Sequence, residues 1–190
     1  MWKKVLLGLL PVITVICSIQ IHYVNSHSIN VPIFYYKMNE EVRFDDNYND
    51  TSLESSDGYS ITVLGHEQLN IDSFIKKYNI IEEMGLNHYD YISIIHVKIK
   101  NCNNTNGSRS GIDMRNLILQ NGSYINFFSQ VLYSYINTYP ETKFSLSENN
   151  EMEFWIPFVL TNKDIDPEDF NSGDSFLVIS LYPHKCMIKL

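Results

Sequence analysis

This 190-residue sequence predicts a mainly β protein, a β-sandwich of about seven or eight short strands with one to three short helices. Two observations predict it. The chain contains no alanine, the best helix former, and is rich in isoleucine, tyrosine and phenylalanine, which suit a pleated, half-buried surface. Several stretches alternate apolar and polar side chains with period two, separated by Asn-, Gly- and Pro-bearing turns. Ahead of them stands an apolar run, Val5 to Ile21, behind Lys3 and Lys4.

That run sets an expected address. Val5 to Val24 has the length of about 20 residues that a helix needs to cross a bilayer, although it carries Pro11, Gln20 and His22. Lys3 and Lys4 are the topology determinants. No other Lys or Arg occurs before Lys37, so the N-terminus stays inside and the remainder outside. The expectation is a single-pass cell-membrane protein with an extracytoplasmic domain. Cleavage near Ser28 would instead release a secreted protein, though Ser26-His27-Ser28 fits the small-x-small rule poorly. Lipid attachment at Cys17 would need small residues where Thr14-Val15-Ile16 stand. The chain then divides into a signal-anchor over 1–28, an extended lead-in and acidic loop over 29–57, and the β-sandwich over 58–190.

The elements follow in order. Val31 to Met38 reads as a short extended strand, and Phe44 to Gly58 as a polar loop. Tyr59, Ile61 and Val63 alternate with Ser60 and Thr62, a half-buried strand. Ile71, Phe74, Ile75 and Tyr78 have helical spacing behind a cap at Asn70 or Asp72. Asn87 to Lys100 carries the strongest alternation, with Ile95, Val97 and Ile99 on one face. Asn101 to Gly111 is a turn rich in residues that tolerate left-handed backbone. Leu117 to Leu119 is a strand ending at an Asn121-Gly122 hairpin turn. Asn126 to Asn137 reads as a short helix, with a strand as the alternative. Lys143 to Leu160 gives two strands about Glu148-Asn149-Asn150. Asp166-Pro167 starts a helix, and Ser175 to Pro183 and Lys185 to Leu190 are closing strands.

Charge and cysteines bound the partners. The chain carries −8, and without its two leading lysines −10. A body this acidic repels nucleic acid, which excludes that partner. Of three cysteines, Cys102 and Cys186 lie in the body. They would pair in a disulfide if their Cα atoms approach closely enough, and otherwise stand as buried thiols.

Three segments carry a resemblance: ISIIHVKIKNCNN, IDMRNLILQNGSYINFF, and FSLSENNEMEFWIPFVL with its Pro157-Phe158 pair. Together they resemble the immunoglobulin-like, telokin-like surface domains of unknown function of Gram-positive bacteria. The resemblance covers roughly Gly58 to Leu190. It implies an immunoglobulin-like sandwich at a surface and no active site, so no functional residue carries over.

The motifs carry little chemistry. Asp45, Asn47 and Asn49 stand at the first ligand positions of a calcium loop, but Asp50 replaces its glycine and Ser56 its closing glutamate. Asp164, Asp166, Glu168 and Asp169 suit a helix start better than a metal. His184 and Cys186 supply two ligands, which do not make a zinc site. Gly107 to Gly111 has the outline of a nucleophile turn with Arg109 at the reactive position. Four Asn-x-Ser/Thr sequons begin at Asn49, Asn103, Asn106 and Asn121 and fall in loops. No catalytic, metal or cofactor residue is assigned. The expectation is a non-catalytic binding or sensing module whose partner, besides the membrane, is a surface protein, a peptide or an envelope polymer. The alternatives are an enzyme whose site assembles only in three dimensions, and a self-protection protein that intercepts toxic peptides.

Overall fold

The computed structural model describes residues 2–26, 31–50, 56–80, 86, 89–106, 111–160 and 174–190, with side chains from residue 13 onward. The chain forms two compact units, Met1–Asn30 and Val31–Leu190.

The first unit is one helix, α1 (Trp2–Ser26). Among the described residues no helix is long and apolar enough to cross a membrane. The expected single-pass anchor, with Lys3 and Lys4 setting its direction, is therefore corrected. The described side chains from Ile13 to Ser26 include Thr14, Ser18, Gln20, His22, Asn25 and Ser26, and hydrocarbon offers such groups no partner. Ser18 and Ser26 turn their hydroxyls back onto the carbonyls of Thr14 and Tyr23.

The second unit is mainly β. Its strands are β1 (Ile33–Lys37), β2 (Glu41–Arg43), β3 (Tyr59–Asn70), β4 (Tyr91–Asn101), β5 (Ile112–Asp113), β6 (Ile118–Asn121), β7 (Tyr124–Phe127), β8 (Lys143–Phe144), β9 (Glu151–Leu160), β10 (Ser175–Ser180) and β11 (Lys185–Lys189). They form a five-stranded sheet in the order β1-β11-β10-β6-β7, a four-stranded sheet β2-β3-β4-β9, and the small pair β5-β8. All pairs are antiparallel except β1 with β11, which run parallel.

The two large sheets share one core. Ile61, Val63, Ile95, Val97, Phe154 and Ile156 from the four-stranded sheet pack with Leu119, Leu177, Ile179 and Ile188 from the five-stranded one. Alternation produces this. On β4 the odd-numbered Ile95, Val97 and Ile99 face the shared core, while Ile92 and Ile94 face outward into a second cluster. Helix α2 (Ile71–Tyr78) covers that outer face with Phe74, which is fully buried. Asn70 caps the helix by accepting from the Ser73 N–H, and Asn79 ends it in left-handed backbone. A bulge between Val63 and Gly65 resets the face of β3, so that His66 follows Val63 inward.

Three expectations shift. The predicted helix over 126–137 divides into β7 and a shorter helix α3 (Gln130–Ile136), capped by the Ser129 hydroxyl. Ile118 and Leu119 pair across with Phe127 and Asn126 and extend the hairpin. Strand β2 arises between the expected strand and the expected loop. The Asp166-Pro167 helix start lies outside the described residues.

Candidate functional site

The two sheets meet directly along one side. There β7 and β9 meet through a bridge between Phe128 and Phe158. On the other side lie β1, the end of the five-stranded sheet, and β2, the end of the four-stranded one. A tight turn joins them: the Glu40 N–H donates to Lys37 O at 3.2 Å, the Glu40 carboxylate accepts from the Lys37 N–H, and Asn39 adopts φ 68°. Beyond this turn the strands belong to different sheets, and a seam runs between them as far as Tyr48, whose backbone pairs with Tyr182 in the turn between β10 and β11.

Both strands bordering the seam have free edges among the described residues. Pro32 O accepts from the Lys185 N–H at 2.9 Å. Peptide groups along a strand alternate in direction, so Phe34 and Tyr36 also address β11, and Ile33 and Tyr35 turn theirs outward. On β2 the Phe44 N–H donates to Tyr59 O at 3.0 Å. Val42 has the same phase, which leaves the peptide groups of Glu41 and Arg43 pointing away from β3.

A groove of about 320 Å³ occupies the seam. Phe34, Tyr36, His184 and Cys186 form one wall, and Glu41 to Arg43, Asp45 and Asn47 the other. Asn47 ties the walls together. Its amide donates to Phe44 O at 2.9 Å, and its Oδ1 lies 3.3 Å from the His184 backbone N–H and 3.2 Å from His184 Nδ1. The Phe34 ring meets the His184 ring edge-on at 5.3 Å. Burial pushes the Tyr36 phenol pKa up, and the neighbouring Cys186, Asp45 and Glu40 add to the shift by opposing a phenolate.

A second depression, about 430 Å³, lies on the outer face of the same strand. Glu41 and Arg43 line it too, with Lys100, Cys102 and Asn149. The Ser60 hydroxyl donates to Glu41 Oε1 at 2.7 Å, and the Cys102 thiol lies 3.6 Å from the same oxygen. The Ser60 hydrogen bond, aided by Cys102, Lys100 and Arg43, holds the Glu41 carboxyl below its ordinary pKa.

Family membership narrows this picture. The family described as "Domain of unknown function (DUF5028)" matches residues 33–186. The chain belongs to this family. Its matched span opens at β1 and closes on β11, and so includes both strands bordering the seam. No curated protein matches the chain. Among solved structures it is similar to a functionally unknown protein from Listeria monocytogenes EGD-e, at 11% identity and a TM-score of 0.43. That match covers 64% of this chain and 66% of the other.

The sequence-derived candidates take the following places. Asn47 and Asn49 act as structural ties: Asn47 reaches Phe44 and His184, and Asn49 donates to the carbonyls of Ile179 and Asn116. Among the described residues no group of three or more His, Cys, Asp or Glu side chains could hold a metal ion. His184 and Cys186 do share the groove, and among the described residues no hydrogen bond joins them. Cys102 and Cys186 are both free. They carry no disulfide: Cys102 faces Ser60 and Glu41 on one sheet, and Cys186 faces Tyr36 on the other. Of the sequons, Asn121 is buried with its amide on Ser175 Oγ, while Asn103 and Asn106 are exposed. Arg109 and the acidic residues 164–169 lie outside the described residues.

One polar pair escaped the sequence. His66 Nε2 and Ser93 Oγ are 2.9 Å apart, both on the inward face of their strands. Ser93 is 1% exposed. Only the bulge after Val63 puts His66 on that face, and nothing in the local alternation announces it.

Proposed function

We propose that this protein is a non-catalytic β-sandwich binding module, and that its ligand is an extended polypeptide segment docked as an added strand in the seam between β1 and β2. The observation that carries this reading is the outward-turned peptide groups of Glu41 and Arg43, which border a groove walled by Phe34 and Tyr36. Strand addition draws affinity from main-chain hydrogen bonds and specificity from pockets for alternate side chains. The seam offers both. The enzyme reading has less support, because Cys186 and Ser93 are both buried.

The test is a titration of isotope-labelled full-length protein with an acetylated hexapeptide alternating lysine and threonine, followed by backbone NMR. Amide resonances of Ile33, Tyr35, Glu41 and Arg43 should shift together, and those of β7 should stay. Methylating alternate peptide nitrogens keeps the side chains but removes donors, and should weaken binding about tenfold, the loss of one or two net hydrogen bonds. Equal binding of the methylated peptide, or shifts confined to another surface, would overturn the reading.

A further inference from the structure

The groove and the outer depression share Glu41 and Arg43. They lie on opposite faces of one strand. Val42 points into the shared core, so the side chains of Glu41 and Arg43 point outward, in register with Thr62 and Ser60 and, one strand further, Lys98 and Lys100. A strand added beside β2 sends successive side chains to opposite faces. One row then enters the groove and the other lies over the outer depression.

The two rows meet opposite charge. In the groove Asp45 is a lining residue together with Phe34 and Tyr36, close enough to act on the Tyr36 phenol, and no ion pair engages it among the described residues. A carboxylate beside aromatic faces suits a lysine or arginine side chain, whose stem packs on the rings. On the outer face Glu41 is already committed to the Ser60 hydroxyl and the Cys102 thiol. Arg43 and Lys100 line that depression without an ion pair among the described residues, while Lys98 pairs with Glu151. Two cations around a committed carboxylate suit an acidic side chain.

We infer that the docked segment alternates basic and acidic residues, its basic side chains entering the groove beside Asp45 and its acidic ones meeting Arg43 and Lys100. This inference rests on the strand-addition reading and gives it a sequence preference.

Three acetylated, amidated hexapeptides test it on the full-length protein: one alternating lysine with glutamate, one lysine with threonine, one threonine with glutamate. Salt of about 0.3 M shortens the screening length to roughly 6 Å, so the overall negative charge contributes little. The lysine–glutamate peptide should bind tightest, by roughly two- to fivefold over either half-charged peptide, the yield of one exposed ion pair. Asp45→Asn keeps a residue that tolerates the φ of 46° found there. It should reduce affinity for the two lysine peptides alone. Lys100→Gln should reduce affinity for the two glutamate peptides alone. Equal affinities for all three peptides, with shifts still at β1 and β2, would overturn the charge preference and leave strand addition standing. A variant that weakens all three alike would also overturn it. No shift at either strand with any peptide would overturn both.

Discussion

At the scale of single residues, Asn101 shows how much a turn residue can hold. It is 1% exposed. Its amide donates to Asn104 O at 2.9 Å and Leu146 O at 2.7 Å, and its Oδ1 accepts from the Asn104 N–H at 2.8 Å. Leu146 is also clasped by the Tyr59 hydroxyl. Alternation and the Asn-rich run announce a turn there, but the partner lies 45 positions away and leaves no local trace. Asn101→Ala should destabilise the protein by roughly 2–4 kcal/mol, because it strands buried carbonyls and an N–H rather than merely deleting a bond. Urea unfolding followed by tryptophan fluorescence measures it. His66 makes a pH prediction at the same scale. Burial lowers its pKa from the ordinary value, so the folded state prefers the neutral ring. The unfolded chain then binds the proton more readily, and stability is full above the ordinary histidine pKa of about 6.5 and falls as pH drops below it. His66→Gln should flatten that part of the stability–pH curve. An unchanged slope between about pH 7 and 5 would mean the ring titrates freely in the fold.

At the scale of elements, legibility follows sequence distance. Helix α2 is readable because its signals are local: the Asn70 cap, Phe74 and Tyr78 on one face, Lys76 and Lys77 in the last turn. Strands β3, β4, β9, β10 and β11 are readable from alternation or from runs of large apolar residues. Strand β2 is not. Three residues with one buried side chain carry no period, and its pairing with β3 is set by Thr62, Ile61 and Ser60 across a long loop. The candidate site inherits this. Its walls come from the least legible strand and from a parallel pairing of the first and last strands of the domain. Nothing near Glu41 in sequence marks it as the border of a groove. Helix α2 yields the prediction that belongs here. Phe74 is fully buried against Ile92 and Ile94, with Phe74 and Tyr78 rings 5.0 Å apart. Phe74→Ala should cost roughly 3–5 kcal/mol, lost transfer energy plus the cavity. The outer face of the four-stranded sheet would loosen before the shared core, so hydrogen exchange should quicken first in α2 and then in β3 and β4.

At the scale of the whole molecule, one core is built from chain ends. β1 begins at Ile33 and pairs with β11, which ends at Lys189, so the domain closes only when its first and last strands meet. Such distant pairing folds slowly, since loop closure is completed before the contacts that repay it. It also makes the boundary of the domain testable. Val31–Leu190 forms a compact unit containing both large sheets, so a chain beginning at Val31 should fold alone. Its far-ultraviolet circular dichroism should be β-dominated, with the contribution of α1 gone and a single cooperative urea transition. A helix-dominated spectrum would contradict this division. A second cut, beginning at Asn39, removes Phe34 and Tyr36 together with the β1–β11 ladder and bares the β11 edge. It should lose at least about 3 kcal/mol, more than one large side chain's burial together with its ladder bonds. The newly bared strand should also associate edge to edge, as unprotected sheet edges do. If the two cuts proved equally stable and equally monomeric, β1 would be a dispensable appendage. The seam would then lose one of its two walls without consequence, so the stability difference between the cuts measures directly how firmly the groove is built.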